Sequence, residues 1–255
     1  MSTRFLLDWR GGNPDFSKRA DWYSCASTSI ARPVLGNHAG RVLVQFQPCV
    51  LFDGLPPAEP ENGYNFALWE VAEHYKANTG RTVWQGEGGW HTELVDLTKR
   101  GLLPAVVDLL KEFFPWADGF HVDPMSAWSW QFPDLAPTDA AWDSVLGAFA
   151  RVLRSREKVV LSQQFHLTDP VMASNGLFLE QSPYSFGYTI EKHSADLKRF
   201  RDMMAFAKDH REILWVTEIR DYQRWDSRAL AAVVAWADSE GIAVALGRDA
   251  SAAIA

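Results

Sequence analysis

The spacing of short apolar segments constrains the fold of this chain more than any other feature. Eight such segments recur along its 255 residues, and most are separated by stretches with helical periodicity. The predicted strands are residues 4–8, 41–47, 81–85, 119–123, 158–164, 177–180, 212–218 and 242–246. Short apolar runs bounded by Gly, Pro and polar residues are typical of strands in a parallel sheet. Eight of them alternating with helices predict an α/β protein in which residues 1–255 form a single (β/α)8 barrel domain. An open doubly wound sheet is the alternative, but no Gly-rich phosphate-binding turn follows the first strand.

Apolar residues at spacings of three and four predict the intervening helices. They are expected at about 16–24, 66–78, 138–154, 194–210 and 227–240, with two more within 93–114. Gly101 and Pro104 separate the two helices of that last region, because Pro breaks a helix interior. Gly80 and Gly241 follow predicted helix ends, where glycine is the preferred residue.

Charge and composition exclude several classes of function. A net charge of −7 and a pI near 5.5 argue against nucleic-acid binding, which requires clusters of Lys and Arg. No apolar run approaches the ~18 residues of a membrane span. Residues 1–8 reach a charge at once, so no signal peptide is expected in this chain, and either a cytoplasmic location or delivery by a non-Sec route, for example with a virion, follows. Cys25 and Cys49 fit neither metal-ligand spacing nor a disulfide framework, so we expect buried, reduced thiols.

The segment 117–130 is the strongest candidate for chemistry. Residues 119–123 form the predicted fourth strand, and Pro124 ends it because proline cannot donate to a sheet. Side chains alternate along a strand, so His121 and Asp123 share one face. A carboxylate at the end of a buried strand needs a partner or a purpose. A turn or N-cap aspartate is the structural interpretation, and a catalytic acid is the functional one.

Two further apolar strands also end in an acid. Glu180 shares a face with Phe178, and Glu218 shares a face with Leu214 and Val216. In a barrel, these strand ends meet at the catalytic face. Paired carboxyl groups are the minimum for glycoside hydrolysis, because one protonates the leaving oxygen while the other attacks the sugar or activates water. We therefore predict Asp123 and Glu180 as the catalytic pair and Glu218 as the third catalytic residue, which either orients a sugar hydroxyl or is itself the acid/base in place of Glu180.

The sequence at 117–123, Ala-Asp-Gly-Phe-His-Val-Asp, resembles the fourth strand of several barrel glycoside hydrolase groups. These include α-galactosidase-like, α-amylase-like and endo-α-1,4-polygalactosaminidase-like enzymes. The resemblance implies that Asp123 is catalytic. In the polygalactosaminidase-like group it implies a partner carboxylate on a later strand, for which Glu180 is the best match. The segment ending in Glu218 resembles the seventh-strand nucleophile of another barrel clan, although that clan has Asn-Glu where this chain has Val122-Asp123.

Aromatic and polar residues near the predicted strand ends are candidates for substrate binding. The 12 Trp residues favour a carbohydrate ligand, because sugar rings stack on indoles, although plain packing is the alternative for each ring. Asp8 and Arg10 would lie at the rim, where an ion pair between them is the alternative. Glu87, Glu93 and Asp221 are interpreted as solvated. The full set of predicted substrate-binding residues is Asp8, Arg10, Gln47, Trp84, His121, Trp128, Trp130, Gln164, His166 and Tyr184.

Two other functions compete with a glycosidase. Asp123, His166 and Glu180 could hold Mg²⁺ or Zn²⁺ in a metal-dependent lyase or hydrolase, although no His-x-His or His-Glu-x-x-His spacing occurs. A non-catalytic glycan-binding barrel, as part of a phage or secreted assembly, is the second alternative. The expected partner is a carbohydrate, with no cofactor and no metal. The Pro- and Gly-rich loop 53–65 is a candidate attachment surface or lid.

Overall fold

The structure is a computed structural model that describes residues 4–7, 20–26, 40–46, 50–52, 63–82, 92–122, 139–156, 158–163, 174–179, 194–195, 197–198, 201–202, 214–219 and 227–246. Its strands are β1 (Arg4–Leu7), β2 (Trp22–Ala26), β3 (Arg41–Phe46), β4 (Val50–Phe52), β5 (Asn78–Thr82), β6 (Thr92–Val95), β7 (Gly119–Val122), β8 (Val159–Gln163), β9 (Gly176–Leu179), β10 (Leu214–Ile219) and β11 (Ala243–Leu246). Its helices are α1 (Gly63–His74), α2 (Leu102–Phe113), α3 (Asp139–Arg154) and α4 (Ser227–Ser239).

Eight of these strands pair in parallel and form a closed sheet in the order β1-β11-β10-β9-β8-β7-β3-β2. The helices α2, α3 and α4 precede β7, β8 and β11, as expected when parallel strands are joined by helical crossovers. Residues 194–195, 197–198 and 201–202 are also helical and lie between β9 and β10. The predicted α/β class with a curled parallel sheet is confirmed.

One predicted barrel strand is wrong, and one barrel strand was not predicted. Residues 81–85 were expected in the barrel, but the structure has β5 at Asn78–Thr82 in a separate antiparallel sheet. Its place in the ring is taken by β2, where a short helix at about 16–24 was expected. Tyr23 and Cys25 face outward in β2, whereas Ser24 faces the interior, so the segment carries a weaker apolar signal than its neighbours.

An insertion between β3 and β7 contains the antiparallel sheet β4-β6-β5 and helix α1. The helical pattern predicted from residue 93 is wrong in its first part, because Thr92–Val95 forms β6. Glu93 was interpreted as solvated, but it is buried, and its Oε1 accepts a hydrogen bond of 2.6 Å from the amide of Gly80. Gly80 therefore lies within β5 rather than after a helix, and its φ of 66° explains the glycine there.

The outward face of the sheet packs against the helices in an apolar core. Val44, Phe120, Val122 and Val160 supply the strand side of this core. The helix side is supplied by Leu68 and Ala72 of α1, Leu102, Val106, Val107 and Leu110 of α2, and Leu146, Phe149, Ala150 and Leu153 of α3. Burial of this many large apolar side chains stabilises the sheet at ~25 cal/mol per Å² removed from water. The core holds β3, β7 and β8 against the helices.

The start of β7 is held by the residues Asp118 and Gly119. The amide of Val42 donates a 2.8 Å hydrogen bond to Oδ2 of Asp118, and the amide of Asp118 donates to the carbonyl of Val42. A Cβ on Gly119 would lie 2.2 Å from the carbonyl oxygen of Val159, so only glycine fits between β7 and β8. The Asp-Gly pair of the fourth-strand motif is therefore structural.

In the part of the chain that the structure describes, no helix is both long enough and apolar enough to span a membrane.

Candidate active site at the strand ends

The stagger of the closed sheet determines which interior side chains lie at the same height. The paired Cα positions of each two neighbouring strands differ by a constant number of residues. When these offsets are applied in turn around the ring, starting from Leu6 of β1, they lead back to β1 at a position eight residues further along the chain. Eight strands with a stagger of eight are the geometry of (β/α)8 barrels, in which alternate strands contribute the four side chains of each interior layer. The interior of this sheet can therefore be divided into layers.

The lower part of the interior is apolar. Leu43, Leu161, Phe178 and Ala243 form one buried cluster, with Trp22 and Val159 packed against it. Arg41 lies over the Trp22 ring, with its Cζ 5.2 Å from the ring centroid. Trp22 and Arg41 are the first residues of β2 and β3, so this packing lies towards the amino ends of those strands.

The next layer up, called the polar layer, contains Phe178 of that cluster together with two polar residues. Ser24 of β2, His121 of β7 and Phe178 of β9 come from alternate strands and belong to one layer. Ser24 and His121 are fully buried, and Oγ of Ser24 lies 3.0 Å from Nδ1 of His121 in a hydrogen bond. The His121 and Phe178 rings have centroids 4.6 Å apart with an interplanar angle of 40°. His121 thus spans the interior from β2 to β9.

Of the three predicted catalytic residues, one lies in a described strand and two lie just beyond the ends of described strands. Asp123 and Glu180 lie outside the described residues, and in sequence they directly follow Val122 of β7 and Leu179 of β9. Glu218 lies within β10, and its Cα is paired with that of Ala245 in β11. The role of each remains a prediction.

Most predicted substrate-binding residues lie outside the described residues. They are Asp8, Arg10, Gln47, Trp84, Trp128, Trp130, Gln164, His166 and Tyr184. The prediction that Trp84 follows a strand of the ring is wrong, because the strand that leads to it, β5, belongs to the antiparallel sheet. His121 is the member of the set that the structure describes, and it lies in the barrel interior.

Ser24 is a site residue that the sequence did not reveal. It is 97 residues from His121 in the chain, and a serine between Tyr23 and Cys25 carries no motif. The signal that could have found it is alternation, because Tyr23 and Cys25 are apolar on one face while Ser24 interrupts the other. This signal is informative only if residues 22–26 are predicted as a strand of the ring rather than as part of a helix.

Within the described ranges, no group of three or more His, Cys, Asp or Glu side chains could hold a metal ion. The alternative metal site at Asp123, His166 and Glu180 lies outside those ranges and stays a prediction.

Comparisons with solved structures show a shared fold at low sequence identity. The crystal structure of Ega3 from Aspergillus fumigatus, in complex with galactosamine, is similar to 97% of this chain over 91% of its own length, with a TM-score of 0.59 and 11% identity. The glycoside hydrolase domain of PgaB (BpsB) from Bordetella bronchiseptica covers 96% of this chain and 94% of itself, with a TM-score of 0.50 and 12% identity. The chain therefore shares its fold with these two proteins. This confirms the resemblance of fold that residues 117–123 suggested. No protein-family model matches the sequence, and no curated protein matches it.

Proposed function

We propose that this chain is a glycoside hydrolase that cleaves O-glycosidic bonds of a polysaccharide or oligosaccharide. The catalytic unit is a complete (β/α)8 barrel formed by residues 1–255 as one domain. The observation that carries the proposal is the buried polar layer of Ser24 and His121, which lies directly below the ends of β7 and β9. Barrel enzymes place their reacting groups at this end of the strands.

The proposed catalytic pair follows from the alternation of the two strands. Asp123 is two residues beyond His121, and Glu180 is two residues beyond Phe178. If side chains continue to alternate beyond the ends of β7 and β9, the two carboxyl groups belong to the next layer, above the rings of His121 and Phe178. The centroids of those two rings are 4.6 Å apart. In that arrangement the two carboxyl groups would flank a glycosidic bond.

The two carboxyl groups would divide the chemistry of hydrolysis. One is protonated and gives its proton to the leaving glycosidic oxygen. The other is ionised and either attacks the anomeric carbon or removes a proton from water; a separation of roughly 5 Å favours the first course and more than about 6.5 Å the second. Glu218 belongs to β10, between β9 and β11, and is proposed as a third catalytic carboxylate that orients a sugar hydroxyl.

An amino sugar is the substrate class that we favour. The chain has a net charge of −7, which attracts a cationic polymer such as a partly deacetylated glycan and repels an acidic one. Ega3, which shares the fold, was crystallised with galactosamine. Trp84, Trp128, Trp130 and Tyr184 are proposed to stack on the sugar rings. The remaining predicted substrate-binding residues, proposed to hydrogen-bond the sugar hydroxyls, are Asp8, Arg10, Gln47, Gln164 and His166.

The test is release of reducing ends from a panel of polymers. The panel includes α-1,4-linked galactosamine polymer, β-1,6-linked glucosamine polymer, chitosan, chitin and a neutral glucan. The double variant with Asp123→Asn and Glu180→Gln, purified in the same way, serves as the control for contaminating hydrolases. We expect the wild type to release ends from an amino-sugar polymer and the double variant to release none. Equal release by both proteins, or none from any polymer, would contradict the proposal.

A further inference from the structure

The layer that contains Ser24 and His121 is unusual for the interior of a barrel. Such layers are normally filled by bulky branched residues, as Leu43 and Leu161 below it illustrate. A serine and a histidine with no solvent exposure lose their hydration, so their presence requires compensating hydrogen bonds. Packing alone does not call for polar residues at this height.

The imidazole of His121 is held from two sides. Oγ of Ser24 on β2 bonds to Nδ1 at 3.0 Å, and the ring of Phe178 on β9 packs against it at a centroid distance of 4.6 Å. The other ring nitrogen, Nε2, is buried as well. The Ser24 hydroxyl can donate to Nδ1 or accept from it, and when it donates, the ring proton lies on Nε2. The contacts with Ser24 and Phe178 fix the orientation of the ring.

We propose that Ser24 and His121 are a positioning pair for the carboxyl group of Asp123. Ser24 fixes the imidazole through Nδ1, and the imidazole supports the carboxyl group two residues further along the same face of β7 through Nε2. This inference rests on the proposed function, in which Asp123 is one of the two reacting carboxyl groups. The pair does not touch substrate; it keeps Asp123 in its productive orientation, which is what supporting hydrogen bonds contribute in active sites.

Two amide substitutions at His121 separate a positioning role from a structural one. In His121→Gln the side-chain amide reaches the place of Nε2, whereas in His121→Asn it reaches the place of Nδ1 and can still bond Ser24. A positioning role through Nε2 predicts that His121→Gln keeps kcat within about tenfold of wild type, while His121→Asn loses about a hundredfold with KM unchanged. A higher kcat for His121→Asn than for His121→Gln would overturn the inference.

A matched pair of serine variants tests the other half of the pair. Ser162 on the outward face of β8 is as buried as Ser24, and its hydroxyl is hydrogen-bonded to that of Ser174. Ser24→Ala and Ser162→Ala each remove one buried serine hydroxyl bond. We expect Ser24→Ala to lower kcat by about tenfold at unchanged KM, and Ser162→Ala to leave kcat within about twofold. Equal effects on kcat would mean that Ser24 acts only on stability.

A spectroscopic measurement tests the pair independently of turnover. The imidazole ¹⁵N signals of His121 are assigned as those missing in His121→Gln, among the 7 histidines of the chain. We expect Asp123→Asn to shift these signals, and Asp108→Asn on the exposed face of α2 to leave them unchanged. If Asp123→Asn leaves the signals unmoved, the inference is overturned even if the protein is an active hydrolase. If the signals shift but no polymer is cleaved, the pair stands and the proposed reaction is wrong.

Discussion

The two faces of β7 have opposite compositions. Phe120 and Val122 point outward into the apolar core shared with the helices. On the other face, His121 points inward and bonds Ser24, and Gly119 fits closely against the carbonyl of Val159 in the neighbouring strand. Both faces are fully buried, so burial does not explain the difference.

The contrast indicates a division between stability and function within one strand. The outward face is made of side chains whose burial stabilises the fold and which have no polar atoms to offer. The inward face carries His121, whose imidazole is hydrogen-bonded to Ser24. A strand of this kind is held by its outer face, which leaves the inner face available for chemistry.

The largest expected effect separates the two glutamates of the proposed site. Glu180→Gln removes a reacting carboxyl group, and we expect kcat to fall by about a thousandfold, whereas Glu218→Gln removes an orienting group and should cost about tenfold to a hundredfold. Reducing-end release measures both. Glu112→Gln on the exposed side of α2 is the control and should retain full activity. A larger loss in Glu218→Gln than in Glu180→Gln would exchange their roles.

The outward face should control stability alone. Phe120→Ala removes a buried ring from the apolar core, and we expect the free energy of unfolding to fall by about 3–5 kcal/mol. Urea unfolding measures this loss. At a temperature where the variant stays folded, its kcat should lie close to that of wild type. A large loss of kcat in the folded variant would mean that the two faces are not separate in function.

Two glycine substitutions sharpen the comparison at the start of β7. Gly119→Ala would bring a Cβ to 2.2 Å from the carbonyl oxygen of Val159, so backbone must shift, and we expect a loss of about 2–3 kcal/mol in unfolding free energy. Gly147→Ala on α3 is the matched control, because its Cβ would meet only the flexible end of Arg151 at 3.4 Å. Alanine is preferred in helices, so this variant should gain about 0.5–1 kcal/mol. Equal losses in both would contradict the tight fit of Gly119.

The smallest expected effect concerns Tyr64 in α1. Its hydroxyl is buried and has no hydrogen-bond partner among the described residues, so Tyr64→Phe should raise the unfolding free energy at pH 7 by about 1 kcal/mol. Burial also raises the pKa of Tyr64 well above its ordinary value of 10.0. The folded state therefore holds this proton longer than the unfolded state, and the wild type loses stability as the pH rises above 10.

Urea unfolding at pH 7 and near pH 11 checks both parts of the Tyr64 prediction. Tyr64→Phe should lose less stability over this interval than the wild type. Parallel pH dependences would show that the phenol does not titrate differently in the two states.

The sequence could predict the strands with strong apolar runs, and it could not predict how distant strands meet. Residues 119–123 and 242–246 could be predicted as strands because each is a short, mostly apolar run, which is typical of a buried strand. Residues 81–85 also look like a strand, but propensity does not tell a strand of the ring from one that pairs with β6 outside it. Which of the two sheets a strand joins depends on pairing partners that are far away in the chain.

The candidate site shows the same limit. The opposite phases of Phe120 and His121 follow from alternation within one strand and could be predicted directly. The contact between His121 and Ser24 depends on the stagger of the whole ring, which no local segment encodes. Short-range periodicity therefore predicted which residues face inward, while the layer that they form required the structure.

The most direct test of the division between the two faces is a paired measurement on Asp123→Asn. Reducing-end release from the preferred amino-sugar polymer and the free energy of unfolding in urea are measured on the same preparation. The account predicts that turnover falls by about a thousandfold while the unfolding free energy stays within about 1 kcal/mol of wild type. Full turnover in the folded variant would contradict it, because the carboxyl group at the end of β7 would then have no part in the reaction.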